Sequence, residues 1–360
     1  MSVSHVYTDY GQNTVSVYVR RGTELLVEKT RENIVSVHPE EIYVVTETTN
    51  AVPPYASWAT AAATLSNAVA VVVDGMRIVL TNGTHTISSS IVLDRKIEVV
   101  GAGEDPSDVT LKRPGQDGSY AIFLQHPGAV VSGVRLDGGG QNGCVWIYAA
   151  GGTVTNSILY NGVSSNFEDN YGAGYVASTN GRISHCRITN CRRTKMGGRN
   201  YACVLRNHGF VDNCLFDHNT SVVTNEETMG VIYNAGEIRN CTIVSSTGAE
   251  GHFFYNAADG KVVNTLMATN FTGQVAKSNI LGAGAFENTL VDFAPWTVFK
   301  DPAAGDWHLR KFCPAVDVVK VSADEAAGTD LDGNPRLIGM RLDLGCYEAP
   351  PVPGLMLIVR

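Results

Sequence analysis

Short segments of alternating apolar and polar residues recur along the middle of the chain, each opening on a glycine and closing on a polar turn. Six of them read GAVVSGVRLDG from Gly128, GTVTNSILYNG from Gly152, GRISHCRITNC from Gly181, GFVDNCLFDHN from Gly209, GEIRNCTIVSS from Gly236 and GKVVNTLMATN from Gly260. The steps between these glycines are 24, 29, 28, 27 and 24 residues. Alternation over a few residues is typical of a β-strand with one buried face, and a nearly constant period indicates a repeat architecture.

A second short strand precedes most of these segments, in the stretches CVWIYAAG, GYVASTNG, ACVLRNHG, MGVIYNAG and HFFYNAADG. Each period therefore holds at least two strands and a variable loop, which leaves no room for a helix. Helical repeat arrays need helices in every repeat, and a propeller blade needs roughly 40 residues. The pattern predicts an all-β, single-stranded parallel β-helix.

One position of the repeat is filled by asparagine in successive copies, at Asn156, Asn213, Asn240 and Asn264, with His185 once in its place. The next position holds small residues, in the order Ser157, Cys186, Cys214, Cys241 and Thr265. Asparagine tolerates the left-handed turn between two sheets, and stacked identical side chains hydrogen-bond or pack along a ladder. We interpret the cysteines as a packed stripe rather than a metal or redox column.

The ends of a β-helix need covers. Residues 57–73 form an amphipathic pattern that predicts an N-terminal capping helix with Ser57 as its N-cap. The first 45 residues have alternating stretches typical of a small antiparallel β element, and the tail of a preceding domain is the alternative. We therefore divide the chain into an N-terminal β segment (1–45), the β-helix (46–300) and a C-terminal cap (301–360).

The chain has 360 residues and a formal net charge of −8, with Lys+Arg 27 and Asp+Glu 35. This balance disfavours nucleic acid as a partner, and any anionic ligand must meet a local basic patch. No run of about 18 apolar residues is present, so no membrane span is expected. The N-terminus has neither the basic start nor the apolar core of a signal peptide.

Three stretches resemble bacterial right-handed β-helix proteins on a pectate-lyase-like scaffold. They are PPYASWATAAATLSNAV (53–69) with the following RIVLTNGTHTI, GDWHLRKFCPAVD (305–317), and TDLDGNPRLIGMRLDLGCYE (329–348). The last resembles the closing motif of the choice-of-anchor Q type, with Cys346 in place of the usual alanine. The resemblance implies a right-handed coil and a secreted or cell-surface protein, and it implies no reaction. We expect a monomer. Cys313 and Cys346 are candidates for a disulfide, and separate thiols are the alternative.

A basic loop at 190–201 stands out in this acidic chain, with Arg192, Arg193, Lys195 and Arg199, and Arg206 and His208 follow on the next strand. Arginine and lysine bind carboxylate or sulfate groups. Cleavage of a uronate polymer by β-elimination needs a cation on the sugar carboxylate and a base for the adjacent proton. We assign Lys195 as the base and Arg193 or Arg206 as the cation. A solvated loop that balances neighbouring acids is the alternative. Further candidate bases are His208, His185, Tyr171 and Tyr201; the substrate-binding candidates are Arg192, Arg199, Tyr171, Tyr201, Glu226 and Glu227.

Acidic residues lie on the loops one coil to either side, Glu168 and Asp169 before the basic loop and Glu226 and Glu227 after it. Two coils separate them by about 9.6 Å, close to the spacing of an inverting glycosidase. Glu168 and Asp169 could instead hold Ca²⁺ through oxygen ligands. A polysaccharide lyase acting on an acidic glycan is the leading hypothesis. A glycoside hydrolase and a non-catalytic glycan-binding or structural protein are the alternatives.

The segment 330–334 and the tryptophans are two further features that could suggest a binding site. The segment from Asp330 to Asn334 has glycine and acids at the wrong positions for an EF-hand loop, so it predicts a turn. The tryptophans could stack on sugar rings if exposed. We expect Trp146, which lies in an alternating strand, to belong to the wall or core; Trp58, Trp296 and Trp307 remain open.

Overall fold

A computed structural model describes residues 5–7, 9–115, 118–164, 172–194, 204–221, 231–244, 247–248, 254–268, 280–291, 293–320, 328–339 and 341–350. The predicted fold class is confirmed: the chain is a right-handed parallel β-helix with a short helix near its start and a compact C-terminal cap. Within the described ranges, neither α-helix has the length and apolar content needed to cross a bilayer.

The chain opens with an antiparallel hairpin of β1 (Gly11–Arg21) and β2 (Glu24–Val37). Its pairing confirms the antiparallel element expected near the N-terminus. The next strand, β3 (Glu41–Val44), does not join the hairpin and instead pairs in parallel with the first strand of the coils. The β-helix therefore begins inside the segment 1–45 that the sequence assigned to a separate element.

The coils are built from short strands that return to the same sheet once per repeat. They are β4 (Arg77–Leu80), β5 (Gly83–Thr86), β6 (Ile91–Leu93), β7 (Glu98–Gly101), β8 (Val109–Lys112), β9 (Tyr120–Leu124), β10 (Val130–Ser132), β11 (Arg135–Asp137), β12 (Gly143–Ile147), β13 (Gly152–Tyr160), β14 (Val163–Ser164), β15 (Gly174–Val176), β16 (Gly181–Thr189), β17 (Arg192–Arg193), β18 (Leu205–Asn207), β19 (Phe210–Asp212), β20 (Leu215–Asp217), β21 (Thr220–Ser221), β22 (Ile232–Asn234), β23 (Glu237–Arg239), β24 (Thr242–Ile243), β25 (Thr247–Gly248), β26 (Phe254–Asn256), β27 (Lys261–Val263), β28 (Leu266–Met267), β29 (Ile280–Leu281), β30 (Ala285–Glu287) and β31 (Leu290–Val291).

These strands form three parallel sheets. The largest has 17 strands in two rows, a first row through β3, β4, β7, β10, β19, β23, β27 and β30 and a second row through β5, β8, β11, β20, β24, β28 and β31. The long strands β13 and β16 run through both rows. A separate sheet of eight strands follows the two rows along each coil, and we call it the third sheet. It consists of β6, β9, β12, β15, β18, β22, β26 and β29. A short sheet of β14, β17, β21 and β25 lies between the second row and the third sheet along each coil.

The bend between the two rows falls on the predicted asparagine column. Asn156, His185, Asn213, Asn240 and Asn264 all have positive φ, between 43 and 51°. Asn264 Nδ2 donates to Asn240 Oδ1 at 3.1 Å, so the side chains form a ladder along the axis. The prediction is confirmed, because a residue that tolerates the left-handed conformation is needed at each bend.

The interior of the coils is apolar, with valine, isoleucine and leucine from every sheet buried against one another. Cys186, Cys214 and Cys241 follow the asparagine column into this core and are fully buried. Burial raises the pKa of the Cys214 thiol well above its ordinary value, and hydrogen bonds from the neighbouring thiols add to the shift. Cys214 therefore packs as an uncharged thiol.

The N-terminal helix is shorter than the sequence predicted. A 3₁₀ turn spans Trp58–Thr60, and the α-helix α1 spans Leu65–Val71 with Thr64 as its N-cap, whose side chain accepts from Asn67 N. The prediction of Ser57 as the N-cap of a continuous helix is wrong. Ala62 forms a parallel bridge to Val44. This pairing requires an extended backbone at Ala62, so the helix starts only after that residue.

The C-terminal cap folds back over the outer face of the second row. It begins with α2 (Pro295–Val298), β32 (Phe299–Asp301), a 3₁₀ turn (Pro302–Ala304) and β33 (Asp306–Leu309). Trp307 is buried in the cap core, which also includes Leu215 and Leu266 of the coils, whereas Trp296 is exposed. Cys313 and Cys346 are separate buried thiols, so the candidate disulfide is absent from the structure.

The closing motif supplies the polar skeleton of the cap. Asp330 Oδ1 accepts from Asp332 N at 3.0 Å and from Asn334 N at 2.8 Å, which confirms the predicted turn. The other oxygen of Asp330 accepts from Glu348 N at 3.0 Å. The motif therefore ties the turn to the last strand-like segment of the cap, which is a structural role.

A histidine in the cap predicts a dependence of stability on pH. His308 lies between Asp306 and Asp332, with Nε2 2.7 Å from an Asp332 oxygen. Burial lowers its pKa, but the hydrogen bonds to the two aspartates outweigh burial, and the pKa is raised. The protonated form therefore stabilises the fold below the unfolded pKa, and this contribution is lost as pH rises through the folded value.

Replacing His308 by Gln should remove this contribution. Because the side chain is more than a third exposed, at 36%, we expect an effect of only about 0.5 kcal/mol. Urea unfolding followed at about pH 6 and about pH 9 should show a smaller stability loss for the variant than for the wild type across that interval. An identical loss in both proteins would contradict the assignment.

Candidate functional site

One row of side chains on the outer face of the third sheet is mostly aromatic. The strand register aligns its members one per coil. In order along the axis they are Val92, Phe123, Trp146, Tyr175, Arg206, Tyr233, Tyr255 and Leu281. We call this row the aromatic row. Successive members are about 4.8 Å apart along the axis because each occupies a neighbouring strand.

The rings of the aromatic row contact one another along the axis. The ring centroids of Trp146 and Tyr175 are 5.4 Å apart, and those of Tyr233 and Tyr255 are 5.5 Å apart with an interplanar angle of 6°. Tyr148, which follows β12, stacks on Trp146 at 4.7 Å. Packing at these separations fixes the rings in place, with Trp146, Tyr175 and Tyr255 half-buried and Tyr233 buried.

Arg206 interrupts the aromatic row at its centre. Its guanidinium carbon lies 5.2 Å from the centroid of the Tyr175 ring and 5.3 Å from that of Tyr233, so the cation is held between two ring faces. Arg206 Nε also donates to His208 Nε2 at 2.9 Å. The arginine is therefore positioned from three sides by residues of its own and adjacent coils.

His208 lies next to Arg206 on the same face. Burial lowers the pKa of His208, and the positive charge of Arg206 lowers it further. The imidazole is consequently neutral at neutral pH, with Nε2 as the hydrogen-bond acceptor. The ring centroid of His208 lies 5.8 Å from that of Tyr175 and 5.7 Å from that of Tyr233. The pair therefore combines a cation and a neutral base next to two tyrosine rings.

The structure brings together only two of the predicted site residues that it describes, Arg206 and His208. Arg192 and Arg193 lie on the short sheet instead. The Arg193 side chain is buried, with 1% exposure, so it faces the interior rather than a solvent-filled groove. Arg192 is exposed and its guanidinium contacts Gly140 O at 3.4 Å.

His185, a further candidate base, serves the cap. Its Nε2 lies 3.0 Å from Thr329 O, and its backbone occupies the bend between the two rows. His185 and Arg206 belong to different sheets, so the structure does not bring them together. The remaining predicted residues lie outside the described part of the chain: Lys195, Arg199, Tyr171, Tyr201, Glu226, Glu227, Glu168 and Asp169.

Sequence reasoning missed the aromatic row. The signal was present, since Trp146, Tyr175, Arg206, Tyr233 and Tyr255 each lie one residue before the end of the short strand that precedes a repeat glycine. That position alternates with two buried neighbours, so it points outward in every coil. Trp146 belongs to the outer wall, as expected, and its ring forms part of the aromatic row.

A calcium site is not assembled by the described residues. No group of three or more histidine, cysteine, aspartate or glutamate side chains among them is arranged to hold a metal ion. Glu168 and Asp169, proposed as calcium ligands, lie outside the described ranges.

Comparison with known proteins finds low-identity similarity to solved structures. No protein-family model and no curated protein matches the chain. Among solved structures, pectate lyase Pel9A is similar with a TM-score of 0.45 and 14% identity, over 87% of this chain and 97% of that one. Pectin methylesterase PemA from Erwinia chrysanthemi has a TM-score of 0.38 and 12% identity, over 76% of this chain and 99% of that one. The Dettilon tailspike protein has a TM-score of 0.35 and 11% identity, over 69% of this chain and 61% of that one.

Proposed function

We propose that this chain is an extracellular carbohydrate-active protein that binds an acidic polysaccharide along the aromatic row and cleaves it by β-elimination at Arg206 and His208. The observation that carries the proposal is the Arg206 guanidinium, fixed between two tyrosine rings and bonded to a neutral histidine. A cation in an aromatic strip is complementary to a uronate, which has apolar C–H faces and one carboxylate.

Binding follows from the length and chemistry of the row. The rings at Trp146 and Tyr175 on one side of Arg206, and at Tyr233 and Tyr255 on the other, extend over successive coils. A polysaccharide chain lying along the axis would place sugar faces against these rings. Preformed rings lose little side-chain entropy on binding, which favours affinity for a flexible polymer.

The chemistry assigns one role to each residue of the pair. Arg206 binds the sugar carboxylate and neutralises it, so that the proton on the adjacent ring carbon becomes more acidic. When Arg206 moves towards the carboxylate, its Nε–H no longer donates to His208 Nε2. His208 Nε2 then accepts the proton from the ring carbon. The carbon–hydrogen electron pair forms the ring double bond as the neighbouring carbon–oxygen bond breaks. The leaving oxygen takes a proton from water.

The other functions considered make different products. A glycoside hydrolase would use carboxylates at Glu168 or Asp169 and at Glu226 or Glu227, and it would release saturated reducing ends. A non-catalytic surface protein would bind glycan and release nothing. We include secretion or surface display and a monomeric state in the proposal. The choice-of-anchor resemblance is consistent with an extracellular location, where such polymers occur.

Replacing His208 by Asn tests the lyase assignment. The variant should bind acidic polysaccharide as the wild type does, because Arg206 and the rings remain. It should form unsaturated product at least about 100-fold more slowly, because the base is lost. The measurement is the ultraviolet absorbance of unsaturated uronate during incubation with a panel of acidic polysaccharides, with and without Ca²⁺.

The outcomes of this assay separate the three functions. Saturated reducing ends without an absorbance rise would assign a hydrolase, and binding without any product would assign a non-catalytic protein. Unsaturated product formed equally fast by the His208→Asn variant would remove His208 from the reaction while keeping the lyase.

A further inference from the structure

A second basic cavity lies on the outer face of the second row, away from the third sheet. Its volume is about 290 Å³, and its lining includes Arg135, Tyr160, Arg187, Thr189, Asn190 and His218. We call it the Arg135 pocket. These residues come from four adjacent coils, since β11 pairs with β13, β13 with β16 and β16 with β20, which His218 follows. The size is at the lower end of small-molecule sites and suits one sugar-sized unit.

The two arginines of the pocket differ in their partners. Arg187 is bonded to the buried Asp217, with Nε 3.2 Å from one carboxylate oxygen, and His218 Nδ1 lies 3.2 Å from the other. Asp217 therefore balances the charge of Arg187. Among the described residues, no carboxylate forms an ion pair with Arg135, whose guanidinium instead lies 5.2 Å from the centroid of the Tyr160 ring. The lining is left with a net positive charge.

One donor of Arg135 also lacks an acceptor. Its Nε is buried and makes no hydrogen bond within the described part of the chain. A buried N–H of a charged group without an acceptor is destabilising, and this cost is relieved when an oxyanion binds. The hydroxyls of Tyr160 and Thr189 and the amide of Asn190 supply neutral hydrogen-bonding groups beside it. The pocket thus combines a charged donor in need of an acceptor with groups that pair with sugar hydroxyls.

We propose that the Arg135 pocket binds a single acidic sugar unit through its oxyanion, with Arg135 as the principal ligand. The oxyanion is a carboxylate or a sulfate ester, which present the same paired oxygens to a guanidinium. This site is separate from the proposed reaction centre, since the second row and the third sheet are different sheets of the coil. It therefore provides a second point of contact for an acidic glycan or a site for a free acidic sugar.

Calorimetric titration of the full-length protein with D-glucuronate, glucose 6-sulfate and glucose tests the proposal. The parent protein carries Arg206→Gln, which silences the proposed reaction centre and makes the outcome independent of it. Arg135→Gln is added in one variant and Arg182→Gln in the other. Arg182 is a matched control, since its guanidinium stacks on the Phe210 ring at 4.9 Å and pairs with Asp212 outside the pocket.

We expect the parent and the Arg182→Gln variant to bind an acidic sugar at one site and to bind glucose at least about tenfold more weakly. Arg135→Gln should weaken acidic-sugar binding by about tenfold or more, with an unfolding curve like that of the parent. Tighter binding of glucose 6-sulfate than of glucuronate would identify the oxyanion as sulfate, and the reverse order as carboxylate. Equal binding of glucose and the acidic sugars, or unchanged binding in the Arg135→Gln variant, would overturn the proposal.

Discussion

Replacing Arg206 by Gln is expected to lower kcat/KM for an acidic polysaccharide by about 100-fold, or about 2.7 kcal/mol of transition-state stabilisation. The glutamine can still hydrogen-bond, but it brings no charge to neutralise the sugar carboxylate. Negative charge develops next to that carboxylate as the proton leaves, so the cation is worth more in the transition state than in the bound substrate. The loss should therefore be larger in kcat than in KM.

The matched control for this change is Arg182→Gln. Arg182 resembles Arg206 in stacking on an aromatic ring, but it lies on β16 in the first row. Its replacement should leave the rate of product formation unchanged. If both variants lost activity equally, the effect would reflect total charge rather than the Arg206 site, and the assignment of a local role would be wrong.

Replacing Arg336 by Met is expected to destabilise the C-terminal cap by about 3 kcal/mol. Arg336 is 2% exposed and donates to Gly345 O at 3.0 Å and to Asp343 O at 3.1 Å, and it pairs with Glu348 at 3.2 Å. Burial raises the pKa of Glu348, and the charge of Arg336 opposes this rise. Without the arginine, the pKa of Glu348 rises further above its value of about 8, and the carboxyl group stays protonated to higher pH.

Urea unfolding followed by tryptophan fluorescence reports on this change, since Trp307 is buried in the cap. Because a carboxyl group with a raised pKa stabilises the fold only while protonated, the variant should lose further stability as pH rises. Arg310→Met is the control, as Arg310 is an exposed cap residue that donates to Trp296 O at 2.7 Å, and it should cost less than about 1 kcal/mol. Equal losses in the two variants would contradict the structural role given to the closing motif.

The course of the coils could be predicted from the sequence because each coil repeats the same local requirements. A left-handed residue at every bend, filled by Asn213 or Asn240, and a small buried residue after it are visible without a structure. These positions are fixed by backbone geometry and packing, and both act within one repeat. The fold class could therefore be predicted from the sequence, and the structure confirms it.

The start of the N-terminal helix and the contacts of the cap could not be predicted from the sequence, because they depend on pairing between residues far apart in the chain. An amphipathic pattern beginning at Ser57 looks helical, yet the bridge between Ala62 and Val44 delays the helix to Leu65. Likewise, nothing local to Thr329 shows that it bonds to His185, 144 positions earlier. Propensity describes a segment alone, whereas tertiary pairing can override it.

The sequence predicted Arg206 as part of the candidate site but also placed Arg193 there, for a related reason. Arg193 and Arg206 are both arginines near one basic loop, but the first points into the core and the second points outward. The direction depends on the register of two-residue and three-residue strands, since a shift by one residue reverses every side chain. The aromatic row becomes visible only when these registers are aligned across coils.

The most direct test of the central claim, that the aromatic row binds an acidic polysaccharide, is a fluorescence titration located at Trp146. Acidic oligosaccharides added to the wild-type protein should change the tryptophan fluorescence in a saturable manner. In a Trp146→Phe variant, which keeps Trp58, Trp296 and Trp307, that change should disappear while the protein remains folded. No change with any acidic glycan, or an equal change in the variant, would contradict the account.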